Sequence, residues 1–274
     1  MKPTMLIKLS ALFLILYTYT TAIRILLDPI IHLPALPGGV QGETLLLLMF
    51  SLTHAIYLLG RLQTLVFFVA AAVISWTFEE LGVDTGMIFG NYYYTDMLGP
   101  KLSEVPILIP LAWFMMIYPS FIIANLIAEG KAVVRDSDLG TIVRLSLLSA
   151  MVMTAWDLLI DPVLSGPDYR AWIWVDGGPY YGVPAQNYVG WILTTFTIYL
   201  CFRLFERKFP PSERNEITAT IIAMPLVAYA SVMISNSFGS NVEGLQVIGP
   251  FVMGMPLMIA IFRLLKNHGR PHDY

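Results

Sequence analysis

Eight stretches of the chain are predominantly apolar, and most charged residues fall at their ends or in the segments between them. They cover roughly residues 5–27, 44–60, 62–80, 105–128, 140–160, 188–205, 217–238 and 245–265. Each is near the ~20 residues that a helix needs to cross a bilayer. The pattern therefore predicts eight membrane-spanning helices. The first follows Lys2 and Lys8 like a signal peptide, but it is too long for one and no small-residue cleavage site follows it. Only Gly60-Arg61 separates the second span from the third, which predicts a tight antiparallel pair.

The connecting segments set the expected orientation. With the N-terminus inside, 13 of the 16 basic residues fall on the cytoplasmic side: Lys2, Lys8, Arg61, Lys131, Arg135, Arg144, Arg203, Arg207, Lys208, Arg214, Arg263, Lys266 and Arg270. Arg24, Lys101 and Arg170 are left for the outer side, so the lysine and arginine bias places both termini in the cytoplasm. Two outer segments are long and rich in glycine and aromatic residues. Residues 81–104 carry Gly82, Gly86 and Gly90, then Asn91-Tyr92-Tyr93-Tyr94. Residues 161–187 carry Trp172-Ile173-Trp174, which alternates into Asp176-Gly177 and predicts a short hairpin. With no internal repeat and no low-complexity tract, residues 1–274 read as a single integral-membrane domain, an all-α polytopic bundle.

Composition sharpens this picture. The chain is 57% hydrophobic and 13% charged, with a mean hydropathy of +0.68, which excludes an ordinary soluble globular domain. The net charge of −3 comes with no basic run, so nucleic acid is not an expected partner. A single cysteine, Cys201, excludes an intramolecular disulfide and cysteine-based metal sites. His32, His54, His268 and His272 show no metal-binding spacing.

What remains is acids among aromatic rings at the outer rim. Trp76-Thr77-Phe78-Glu79-Glu80 ends the third span. Adjacent helical residues point about 100° apart, so one glutamate enters the bundle and the other faces the interface or a loop. Either they are a solvated helix end or they are intramembrane carboxylates with a function. Trp156-Asp157 and Asp161-Pro162 close the fifth span; the two aspartates, four apart, share one helix face. Pro162 is expected to limit the helix there. Asp157 lies a turn deeper, where desolvation disfavours a charged carboxylate, a property that suits a general acid. Its alternative is a structural hydrogen bond, and for Asp161 a loop cap. Trp172, Trp174, Asp176, Tyr180, Tyr181, Asn187, Tyr188 and Trp191 form a third group. They read either as an interfacial belt or as ring faces able to stabilise a cation. Trp113 lies further into the fourth span, Asn91 and Asn187 are candidates to hold a water, and Asn236 and Glu243 complete the outer polar set.

These motifs carry a resemblance. Glu79-Glu80-Leu81-Gly82, Phe89-Gly90-Asn91-Tyr92, Ile109-Pro110 with Trp113, Trp156-Asp157 with Asp161-Pro162, and Gly182-Val183-Pro184 with Asn187-Tyr188 and Gly190-Trp191 resemble the membrane carotenoid-biosynthesis family, which includes carotenoid 1,2-hydratases of the bisanhydrobacterioruberin and γ-carotene type. The resemblance covers about residues 50–265. It implies a linear carotenoid dissolved in the bilayer as substrate, membrane lipids as surroundings, and other carotenoid-pathway enzymes as candidate neighbours. The implied reaction is acid-catalysed addition of water across the terminal 1,2 double bond, which needs no cofactor and no metal. On chemical grounds the acid is Asp157 or Glu80, the other serves as base or water-orienting group, and Glu79, Asp161 and Asn187 assist. Trp76, Trp156 and Tyr92 shield the cation, with Trp113, Asn91 and Trp191 also lining the substrate site. The rivals are a lycopene-type cyclase, an intramembrane prenyltransferase (disfavoured by the lack of nearby cations for diphosphate), and a carotenoid-binding scaffold or transporter.

Overall fold

The structure, a computed structural model, describes residues 3–28, 30–135, 137–211 and 215–267. Lys2, Arg214, Arg270, His268 and His272 lie outside the described residues. Eight helices are long and apolar enough to span a membrane: α1 (Pro3–Leu27), α2 (Gly39–Leu59), α3 (Arg61–Thr85), α4 (Leu108–Glu129), α5 (Leu139–Leu164), α6 (Ala185–Lys208), α7 (Ala219–Phe238) and α8 (Leu245–Asn267). The protein is thus a multi-pass membrane protein of helical-bundle type. Their ends follow local rules. The side chain of Asp138 accepts from the Thr141 amide to start α5, and Thr218 does the same for Ile221 in α7. Left-handed glycines, Gly86 at φ 66° and Gly130 at φ 69°, end α3 and α4.

The centre of the bundle is α4, which touches α2, α3, α5, α7 and α8. Buried residues make up 78% of its apolar stretch, against 28% for α3. A peripheral helix shows the membrane's version of amphipathicity. Leu62, Leu65, Val69 and Val73 of α3 face outward, while Thr64, Phe67, Ala71, Ser75, Glu79 and Gly82 face inward. Small and polar residues take the protein side because lipid is as apolar as leucine. The second and third helices do meet beside Gly60, but each packs more broadly on α4 than on the other.

Pro119, Pro162, Pro225 and Pro250 are among the prolines inside helices, and each removes the hydrogen bond to the carbonyl four residues earlier. At the first three a side chain replaces it. Ser51 of α2 donates to Met115 O (2.8 Å), four before Pro119. His54 Nε2, also from α2, meets Ile221 O (2.9 Å), four before Pro225. The carbonyl requires Nε2 to carry hydrogen, which lets Nδ1 accept from the Tyr118 hydroxyl at 2.6 Å. Tyr180 donates to Leu158 O (2.8 Å), four before Pro162. Pro162 therefore does not stop α5, which runs on to Leu164.

Four short strands lie between helices: β1 (Tyr92–Tyr94), β2 (Lys101–Leu102), β3 (Val105–Pro106) and β4 (Trp172–Trp174). The expected hairpin around Asp176-Gly177 does not form. Instead β4 pairs antiparallel with β1 of the other long loop, Tyr92 opposite Trp174 and Tyr94 opposite Trp172. Asp176 is occupied by the Asn91 amide (2.5 Å), and the chain turns later, where Tyr180 and Val183 bridge across Tyr181-Gly182.

At the opposite end of the bundle Arg203, counted from sequence among the cytoplasmic cations, is buried. It donates to Asn125 Oδ1 (2.8 Å) and Ser149 Oγ (3.1 Å) and lies 4.2 Å from the centre of the Phe121 ring. It ties α4, α5 and α6 together.

Candidate functional site

Helices α3, α5 and α7 end, and α2, α4 and α6 begin, around a cavity of about 150 Å³, to which α1 adds Tyr17. That volume accepts a group roughly the size of benzene.

Glu79 reaches the cavity from α3. Tyr92 and Tyr94 donate to its Oε2 at 2.5 and 2.8 Å, and Trp113 Nε1 donates to its Oε1 at 3.2 Å. Burial first, and the neighbouring Glu79 second, push both phenols well above their ordinary range, so they remain donors. Gly82, one turn on, permits this packing: a Cβ there would lie 2.6 Å from the Phe89 ring and 3.2 Å from the Tyr92 oxygen.

Asp157 and Asp161 enter from α5, each 1% exposed. The Asn187 side-chain nitrogen spans them, 2.7 Å from Asp157 Oδ2 and 2.8 Å from Asp161 Oδ2. Trp172 and Trp174 both donate to Asp161 Oδ1, at 2.9 and 3.0 Å. Asp161 is thus saturated with donors. Asp157 is not: its Oδ1 is buried without a hydrogen-bond partner among the described residues.

The β1–β4 ribbon organises this chemistry. Residues two apart in a strand, and residues directly opposite in an antiparallel pair, share a face. Tyr92, Tyr94, Trp172 and Trp174 accordingly hang on one side of the ribbon, over the cavity. The tyrosines fasten to Glu79 and the tryptophans to Asp161. On the neighbouring wall Trp191 stacks on Trp113 (centroids 4.3 Å apart, 17° between planes) and meets Trp156 edge-on at 5.8 Å. The result is a small ring-lined chamber with two donor-clamped carboxylates and a third that keeps one oxygen unoccupied by the protein.

A sequence model of the family described as "Carotenoid biosynthesis protein" matches residues 42–261. The chain belongs to that family. It is also similar to a bisanhydrobacterioruberin hydratase of Haloarcula japonica, 33% identical over 135 residues, which is 49% of this chain and 43% of that protein. The chain thus matches under half the length of this relative. No solved structure matches.

Within this family member the cavity gathers most of the residues expected from sequence: Glu79, Asp157, Asp161, Asn187, Tyr92, Trp113, Trp156 and Trp191. Three others lie elsewhere. Glu80 points about 100° away from Glu79; it is half-buried, and its Oε2 has no partner among the described residues. Trp76 is half-buried and donates to Leu102 O (3.3 Å). Asn91 is exposed and bonds Asp176 rather than a water in the cavity. The third helix also runs past Glu80 to Thr85, so the glutamates do not mark its end. Asp161 is buried and does more than cap a loop. Tyr94 and Glu43 also line the cavity and were missed. Glu43 lies one residue before the second apolar stretch as read from sequence, but inside α2 of the structure.

Proposed function

We propose that this family member hydrates the terminal 1,2 double bond of a linear carotenoid, of the bisanhydrobacterioruberin, γ-carotene or lycopene type. The observation that carries this reading is the buried Asp157 Oδ1, without a partner among the described residues, beside a chamber lined with indole rings. Two buried carboxyls joined through one Asn187 nitrogen favour a single shared proton. Trp172 and Trp174 hold Asp161 as the acceptor side, which leaves the proton on Asp157. Asp157 gives it to C2 of the alkene, the positive charge forms at the tertiary C1, and water adds there to yield a tertiary alcohol. The faces of Trp113, Trp156 and Trp191 stabilise the cation, each by about 0.5–2 kcal/mol. The donor-clamped Glu79 adds its charge. The hydratase named for the Haloarcula japonica relative supports the same reaction class.

The test is expression in cells that make a linear carotene, with mass analysis of the pigments. The expected product is heavier than its precursor by one water or two. A pigment of unchanged mass but altered structure would identify a cyclase instead. Asp157→Asn should lower hydration by about 10²–10⁴-fold, the usual contribution of a general acid, while the protein stays folded. Full turnover by the variant would overturn the assignment of the acid.

A further inference from the structure

The chamber has a second polar pole that the acid step does not use. Glu43, in the first turns of α2, and Asn236, near the end of α7, line it together with Ser235 and Ser240. None of the four is hydrogen-bonded to Asp157, Asp161 or Glu79. Asn236 is 8% exposed, and its side-chain Nδ2 has no hydrogen-bond partner among the described residues. Leaving a buried amide without a partner is unfavourable, so it marks a place where a polar guest completes the protein. The acids come from α3 and α5 and this pole from α2 and α7, so the two act on the chamber from different helices. Both lie on the one cavity that holds a substrate end.

Resting on the hydratase reading, we infer that Glu43 and Asn236 hold the attacking water: Asn236 donates to its oxygen, and Glu43 accepts the proton it sheds. The balance is complete. Asp157 loses a proton as the alkene π pair makes the C2–H bond. A lone pair of the water makes the C1–O bond, and the resulting oxonium passes one proton to Glu43. Return of that proton through solvent to Asp157 resets the site. Separating the two poles keeps the proton donor and the nucleophile from quenching each other and lets water approach C1 from a different direction than the acid.

The experiment follows both halves of the reaction in deuterated water, using membranes that contain the full chain and a linear carotene that the wild type hydrates. Without a held water, a cation that keeps the deuteron at C2 and loses an original hydrogen from C2 or from a C1 methyl group to Asp157 re-forms the alkene carrying deuterium. Glu43→Gln and Asn236→Leu are each expected to lower hydrated product at least about tenfold, while deuterium in recovered carotene persists at or above the wild-type level. That persistence also reports an intact fold and an intact acid. Unchanged hydration in either variant overturns the inference, as does loss of exchange along with hydration. A wild type that adds no water to any linear carotene overturns the hydratase reading itself, which the variants alone do not.

Discussion

Asp157 and Asp161 are the same residue type four positions apart on one helix, yet their surroundings assign them different work. Asp161 accepts from two indoles and an amide, whereas Asp157 shares only the amide. Their common face was legible from the i, i+4 spacing. The difference was not, because the donors that create it arrive from a loop 11 and 13 residues further on. The choice between Glu79 and Glu80 was closer to legible. Thr64, Phe67, Ala71 and Ser75 form a buried stripe, small or polar except at Phe67, whose three-to-four-residue step leads to Glu79 and bypasses Glu80. Glu79→Gln should disturb the three donors that converge on it, since a carboxamide nitrogen cannot accept. The expected loss is about 1.5–3 kcal/mol, read as a lower unfolding temperature in detergent, with turnover falling too.

Among the elements, the helices were readable to within a few residues, because length and apolarity are what a bilayer demands of them. The ribbon was not. Alternation in Trp172-Ile173-Trp174 announced a strand, but a strand does not name its partner, and the nearby Asp-Gly pointed to a local hairpin. The pairing spans about 80 residues of sequence, and it is this long-range contact that fastens both loops to the carboxylates. Two substitutions probe the supports of the ribbon and of α5. Gly190→Ala would set a Cβ 2.6 Å from both Ile88 O and the Phe89 ring, an overpacking worth about 1–3 kcal/mol. Tyr180→Phe would strip the side-chain donor that replaces the missing Pro162 amide at Leu158 O, costing about 1–3 kcal/mol. Thermal unfolding of the purified variants measures both.

In the whole molecule, the proposed hydratase reaction in a chamber of about 150 Å³ predicts that a symmetric two-ended carotenoid is processed one terminus at a time. A time course should show the singly hydrated pigment rising before the doubly hydrated one; simultaneous appearance of the latter alone would argue for a clamp on both ends. Orientation, expected from the basic residues, is checked at Tyr93, which is 52% exposed on the ribbon. In a Cys201→Ser background, Tyr93→Cys should react with a membrane-impermeant maleimide added to intact cells if the chamber opens outward. The proline pattern carries one more consequence, for assembly. Helices leave the ribosome in order, and α2 already presents Ser51 and His54 when α4 and α7, with their interrupted ladders, enter the bilayer. The fifth helix has no such predecessor: its bare carbonyl must wait for Tyr180, which is synthesised after it. The nascent protein thus has a template for two of its weak points and an interval of vulnerability at the third, in the very helix that bears the acids.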